Sequence, residues 1–162
     1  MSSDASPKNP GVKVPPPFLF LLGLGLAWLL ETRLKRIRVA SSIPVAHSLE
    51  ILGVALLAAG LLLMLWGLLT FARVRTAILP IRPATQIVDH GPYRFTRNPM
   101  YTGMATAYLG GTFIMNSAWA LVLLPFVMFT LYHLVIKREE YYLSSAFPTE
   151  YSEYTKRVRR WL

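Results

Sequence analysis

Apolar and polar positions along the chain fall into long blocks rather than alternating. Residues 1–17 are polar and then proline-rich, ending in Pro15, Pro16 and Pro17, and that composition predicts a disordered leader. Four apolar runs follow, at 18–30, 49–71, 99–115 and 118–136. A helix of about 20 apolar residues crosses a bilayer, so 49–71 reads as a span, with Glu50 and Thr70 its polar interruptions near the two ends. The 18–30 run is shorter and is followed by Glu31, Arg33, Lys35, Arg36 and Arg38 rather than a small-residue cleavage site, which marks a retained anchor helix. Asn116 and Ser117 are all that separates the third run from the fourth. Two spans joined so tightly form an antiparallel hairpin, and Pro125 is placed to kink its second arm. After Lys137 the chain turns polar and aromatic. Pro148 suits the first turn of a helix running toward Arg160, mixing Tyr151 and Tyr154 with Lys156 and Arg157, as in a helix lying at a membrane interface.

The expected fold is therefore all-α: a polytopic membrane helical bundle of about four transmembrane helices plus a C-terminal interfacial helix. One membrane-embedded domain covers 18–162, its N-terminal helices in 18–72 and its chemistry in 73–162. Small residues predict how the helices meet. Gly53, Gly60 and Gly67 recur every seven residues, and Gly103, Ala107 and Gly111 every four. Such faces let helix backbones approach closely in lipid.

Composition sharpens this reading. Hydrophobic residues make up 54% of the chain and charged residues 15%, against roughly 25% charged in soluble domains, so a bilayer must solvate what a core this small cannot bury. The net charge is +9, but the basic residues flank apolar runs and no nucleic-acid motif accompanies them, which points to lipid headgroups rather than nucleic acid. Of the 17 Lys and Arg, two precede residue 18, five lie within 73–99 and six follow residue 136; four remain between Arg33 and Arg38. Thirteen on one side places both ends and the 73–99 connection in the cytosol, with the 33–38 cluster discordant. The absence of cysteine excludes disulfides, a thiolate nucleophile and cysteine metal sites. His47, His90 and His133 are too scattered for a metal site, and Gly23-Leu24-Gly25 lies inside an apolar run with no strand before it, unlike a nucleotide loop.

Candidate chemistry concentrates in the 91–103 string GPYRFTRNPMYTG. Asn98 is a favourable N-cap and Pro99 a favourable first helical residue, so a helix begins here with free N–H groups and a dipole that favour an anion. Arg94 and Arg97 reinforce that preference. The hairpin returns the far end of the fourth run, with Lys137-Arg138-Glu139-Glu140, to the same side. Carboxylates at a membrane boundary are costly unless paired or used. An anion-binding helix start beside two carboxylates suits a zwitterion carrying a positive centre. A capped helix touching lipid phosphates and a surface ion pair are the structural alternatives.

GPYRFTRNPMYTG, the small-residue helix, the turn at Asn116, REEYYL and FPTEYSEYTKRV stand in an order and spacing that resemble the isoprenylcysteine carboxyl methyltransferase and phospholipid methyltransferase group of integral membrane enzymes, over roughly residues 75–162. The resemblance implies S-adenosylmethionine as methyl donor. It implies a cofactor site of Thr85, Gln86, Ile87, Val88, Tyr93, Asn98, Pro99, Met100, Tyr101 and Glu139, open to the cytosol. Arg97, Glu139 and Glu140 are the candidate catalytic residues, with a lipophilic carboxylate, amine or thiol as acceptor, membrane lipids as surroundings and no metal. Asn98 stands where the group usually has histidine, Val135 near where an acceptor-binding arginine falls, and Pro148 where glycine is usual. The alternatives are an NADPH-dependent membrane reductase of related architecture and a non-catalytic membrane subunit.

Overall fold

A computed structural model describes residues 10–74 and 85–161. The first part of the expected leader, Lys8 included, and the stretch holding Arg75, Pro80, Arg82 and Pro83 lie outside the described residues. Six α-helices follow in order: α1 (Pro16–Arg33), α2 (Ile43–Arg73), α3 (Pro99–Met115), α4 (Ala118–Leu131), α5 (Lys137–Ala146) and α6 (Pro148–Arg157). A 3₁₀ turn (Gly91–Arg94) precedes α3, a π turn (Tyr132–Ile136) joins α4 to α5, and no strand occurs among the described residues. The chain is the all-helical bundle that the apolar blocks predict.

Among the described residues two helices are long and apolar enough to cross a membrane: α2, and the continuous helix Ala118–Ala146 made of α4, the π turn and α5. At a rise of 1.5 Å per residue the 31 residues of α2 extend about 46 Å. α1 has 18 residues and α3 has 17, at the short end of what spans a bilayer. Burial in α2 is the reverse of a soluble helix. Its buried residues are Gly53, Gly60, Gly67 and Thr70, while Leu52, Leu61, Leu62, Leu65 and Trp66 are exposed. Large apolar side chains outside and small residues inside are what packing in lipid selects.

α2 and α3 are the most intimate pair. A Cβ on Gly60 would lie 2.5 Å from the Gly103 carbonyl oxygen, and one on Gly53 2.7 Å from that of Gly110. The Gly53, Gly60, Gly67 face is thus used as expected. On α3 the expected face is corrected from Gly103, Ala107, Gly111 to Gly103, Ala107, Gly110, because a Cβ on Gly111 meets nothing within 4 Å. Position i+7 returns within about 20° of the starting face, whereas i+8 has turned about 80° past it at 3.6 residues per turn.

The other half of the bundle joins α1 to α4, where a Cβ on Gly23 would lie 2.6 Å from a Val127 methyl. Leu19, Phe20, Ala27, Tyr108, Val127, Leu131 and Ile136 share one buried cluster. The hairpin turn forms as expected. Asn116 adopts the left-handed conformation (φ 50°), which asparagine tolerates, and the buried Ser117 caps α4 by accepting from the Ala120 N–H at 3.1 Å. The α1–α2 loop latches onto this turn. Asn116 accepts from Ala40 N–H at 2.9 Å and donates to the Ala40 carbonyl at 2.8 Å, while Trp119 donates to the Lys35 carbonyl at 2.8 Å. The discordant Lys35, Arg36 and Arg38 therefore sit at the bundle end remote from Glu139, around a hollow that also takes in Ser41.

Two boundaries differ from expectation. The leader ends earlier, because Pro16 and Pro17 already belong to α1. Val12 is buried in the main cluster, and the Gly11 carbonyl accepts from Arg138 at 3.0 Å. The C-terminal helix stops at Arg157 instead of running to Arg160. Residues 158–161 instead form a strap across the start of α3.

Candidate active site

Asn98 opens α3, and its backbone carbonyl accepts the first helical bond, from Thr102 N–H at 2.9 Å. Its side chain does not cap the helix, which corrects the expectation. The amide instead donates to the Arg160 carbonyl at 3.2 Å. Thr96 donates to the same oxygen at 2.9 Å, and Arg97 N–H donates to the Arg159 carbonyl at 2.9 Å. The C-terminal strap thus satisfies polar groups at the helix start that would otherwise need water. Thr96, Asn98 and Pro99 are buried.

One turn into α3, Tyr101 is buried and donates to Glu139 Oε1 at 2.7 Å. The hairpin therefore brings the start of α3 and the start of α5 together, as their spacing predicts. The π turn lies immediately before this contact, in a helix that runs on unbroken. Such turns recur at functional sites and shift the register of the residues beyond them. Glu139 and Glu140 follow the π turn inside this continuous helix, where no free helix N-terminus offsets their charge, so their stabilisation must come from side-chain partners.

Glu140 faces a different group. Arg160 grips it through Nε and an Nη atom, both at 2.8 Å, and Arg97 approaches it at 3.4 Å. Arg97 also hydrogen-bonds Tyr151, yet its Nε is buried with no hydrogen-bond partner among the described residues. Burial and the Glu140 charge push the Tyr151 phenol up, and Arg97 opposes that rise. Arg94, expected to reinforce the anion preference, is exposed and stacks over the Phe95 ring at 5.2 Å. It does not join the cluster.

Tyr93 is held from three directions. Gly91, at φ 60° and with no room for a Cβ beside Thr70, starts its turn. Phe71 meets its ring edge-on at 4.9 Å, and Tyr154 donates to its carbonyl at 2.8 Å. Its own hydroxyl is buried without a partner among the described residues. Burial drives this phenol far above its ordinary pKa, and the nearby Glu139 carboxylate adds to the rise. It is a neutral donor at any physiological pH.

Thr85, Gln86 and Ile87 lie apart from this interior group. They line a cleft of about 540 Å³ between residues 85–89 and α6, with Phe147 and Tyr154 opposite. Tyr154 connects the two regions, since it lines the cleft and bonds the Tyr93 carbonyl. Val88 is buried, and Met100 packs where Gly67 leaves space. The structure thus gathers Tyr93, Arg97, Asn98, Tyr101, Glu139 and Glu140, and sets Thr85, Gln86 and Ile87 on an adjoining wall. Sequence reasoning missed Thr96, Tyr154 and Arg160 as members of this group. Their partners lie about sixty residues away or more, except for the Arg160 pair with Glu140, and cations in the tail read equally well as lipid contacts. Among the described residues no group of three or more His, Cys, Asp or Glu side chains could hold a metal ion.

A carboxylate braced by a buried tyrosine, next to two donors lacking acceptors, can hold a small molecule bearing both signs of charge. No curated protein and no solved structure matches the chain. The Phospholipid methyltransferase family model matches residues 49–150, a stretch that includes most of α2, all of α3 and α4, and Glu139 and Glu140, and the chain belongs to that family.

Proposed function

We propose that the chain is a multi-pass membrane methyltransferase that uses S-adenosylmethionine and methylates a lipophilic acceptor at the cytosolic face. The observation that carries this reading is the interior polar group itself: Glu139 bonded to Tyr101 at 2.7 Å, near an unpartnered Tyr93 hydroxyl and beside the Glu140 cluster that contains the unpartnered Arg97 Nε. The donor carries a carboxylate, an ammonium and a sulfonium. The Nε of Arg97 offers the carboxylate a charged donor that has no acceptor among the described residues, and Glu139 offers the cationic groups a carboxylate. Tyr93 adds a neutral hydroxyl. Asn98, Pro99 and Met100 form the helix start around which these groups converge, and Thr85, Gln86, Ile87 and Val88 supply the wall for the remainder of the donor. The residues fit the group.

When bound, S-adenosylmethionine supplies an electrophilic methyl group. The protein's part is to position and desolvate the reactants. Tyr101 fixes one oxygen of Glu139, so the carboxylate cannot swing away from the cationic centre. A carboxylate acceptor needs no base, whereas an amine must lose a proton, and Glu139 is the carboxylate placed to take it. The exposed apolar flanks of α2 and α4 suit an acceptor that arrives laterally from the bilayer with its head at the depth of Glu139. Orientation follows from thirteen of 17 basic residues on the side of both chain ends.

Calorimetric titration of the purified protein with S-adenosylmethionine and with S-adenosylhomocysteine tests the reading. Binding of both is expected, with Glu139→Ala and Arg97→Ala each weakening it at least tenfold, the scale of a lost charged hydrogen bond of about 1.5–3 kcal/mol. Absence of binding to a stable, monodisperse wild-type protein would falsify it.

A further inference from the structure

The strap formed by residues 158–161 closes over the start of α3 through backbone and side-chain contacts that are separable. Its backbone is held by Thr96, Arg97 and Asn98 at the Arg159 and Arg160 carbonyls, and Trp161 packs against the main cluster. The Arg160 side chain does something else. It passes over the Tyr132 ring at 5.2 Å and forms a two-pronged ion pair with both oxygens of Glu140, each at 2.8 Å. Arg97, the other cation in the cluster, reaches Glu140 only at 3.4 Å. A fork of two short charged bonds is the stronger interaction, so Glu140 belongs to Arg160. Arg97 retains a buried Nε with no acceptor among the described residues, enclosed with 16% of its side chain exposed against 36% for Arg160.

We propose that Arg160 is a positioning residue: by engaging Glu140 it keeps that carboxylate from closing onto Arg97, and so leaves Arg97 available for an incoming carboxylate. This rests on the function proposed above. Glu140 on this account is neither base nor donor ligand. It is a counter-charge whose own partner decides whether Arg97 is free. Among the described residues, Arg97 is the other cation within ion-pair distance of Glu140, and without Arg160 a tighter pair forming there would compete directly with the carboxylate of the methyl donor.

The assignment predicts an uncommon pattern of coupling. In titrations with S-adenosylhomocysteine, Arg160→Gln is expected to raise Kd about tenfold. Adding Glu140→Gln to it removes the competing carboxylate and should bring Kd back to within about threefold of wild type. Glu140→Gln alone should bind at least as tightly as wild type, a check that does not depend on Arg160→Gln folding. Decarboxylated S-adenosylmethionine, which lacks the group Arg97 would hold, should bind wild type and Arg160→Gln alike. The assignment is overturned by unchanged affinity in Arg160→Gln, by a double variant as weak as the single one, by clear weakening in Glu140→Gln, or by equal loss for the decarboxylated donor. A wild-type protein that binds no donor overturns the proposed function, and this assignment with it. Wild-type binding combined with any of the four results overturns the assignment alone.

Discussion

A hydroxyl buried without a partner, like that of Tyr93, destabilises the folded chain, because water has been removed and nothing replaces it. The ring packs edge-on against Phe71 at 4.9 Å, a contact that does not require the oxygen. Tyr93→Phe is therefore expected to raise stability by about 1 kcal/mol, visible as a higher melting temperature without ligand, while weakening donor binding in the same titration. Loss of stability would mean that the hydroxyl has a structural partner and is not waiting for a ligand. At this scale the sequence is informative where chemistry and local structure coincide. Arg97, Asn98 and Tyr101 stand out because they surround a helix start, and Glu139 because a carboxylate at a membrane boundary needs a reason. What each side chain does is less legible. Asn98 has the identity of a cap, yet bonds the Arg160 carbonyl at 3.2 Å, a choice made by a segment 62 residues further along. Tyr154 is an ordinary aromatic in a mixed tail until its hydroxyl meets the Tyr93 carbonyl.

Helices meet here through what their side chains lack. Gly60 and Gly103 face each other so closely that a Cβ on either would fall within 3 Å of the other's carbonyl oxygen, whereas Gly111 on the same helix faces open space. Gly60→Ala must push α2 and α3 apart, at a cost of about 1–3 kcal/mol. Gly111→Ala should be neutral or stabilise by up to roughly 1 kcal/mol, as a helix-interior glycine replaced by alanine does. Thermal unfolding of the two variants in the same detergent separates these outcomes, and equal destabilisation would contradict the packing described. The seven-residue glycine period of α2 was legible because it repeats three times in one uninterrupted span. The matching face of α3 is not legible to the residue, since Gly110 and Gly111 are adjacent and only the partner helix distinguishes them. The hairpin was legible from two residues between two apolar runs. The π turn was not, because its residues, Tyr132–Ile136, carry no signal that separates them from the apolar run they continue.

At the scale of the whole molecule, the two ends of the bundle carry different tasks, and charge alone does not distinguish them. One end gathers Glu139, Glu140, Arg97 and Arg160. The other holds Lys35, Arg36 and Arg38 on a loop pinned by Asn116 and Trp119. The basic loop is discordant with a positive-inside count, but its hydrogen bonds to the hairpin turn fix it at the end of α3 opposite to Asn98. If α2 and the helix Ala118–Ala146 both cross the bilayer, the loop and the site must lie on opposite faces. The proposed orientation makes the site end cytosolic, because thirteen cations outweigh four and the apposed face tolerates a few in a short loop. The chain has no cysteine, so single-cysteine variants report without background. Ser152 on α6 and Ser41 in the basic loop are both exposed. In intact cells a membrane-impermeant maleimide is expected to label Ser41→Cys and to spare Ser152→Cys until the membrane is permeabilised. The reverse pattern would invert the orientation while leaving the fold intact. Labelling of both variants in intact cells would place loop and site on one face and overturn a bilayer crossing by α2 and the helix Ala118–Ala146 together.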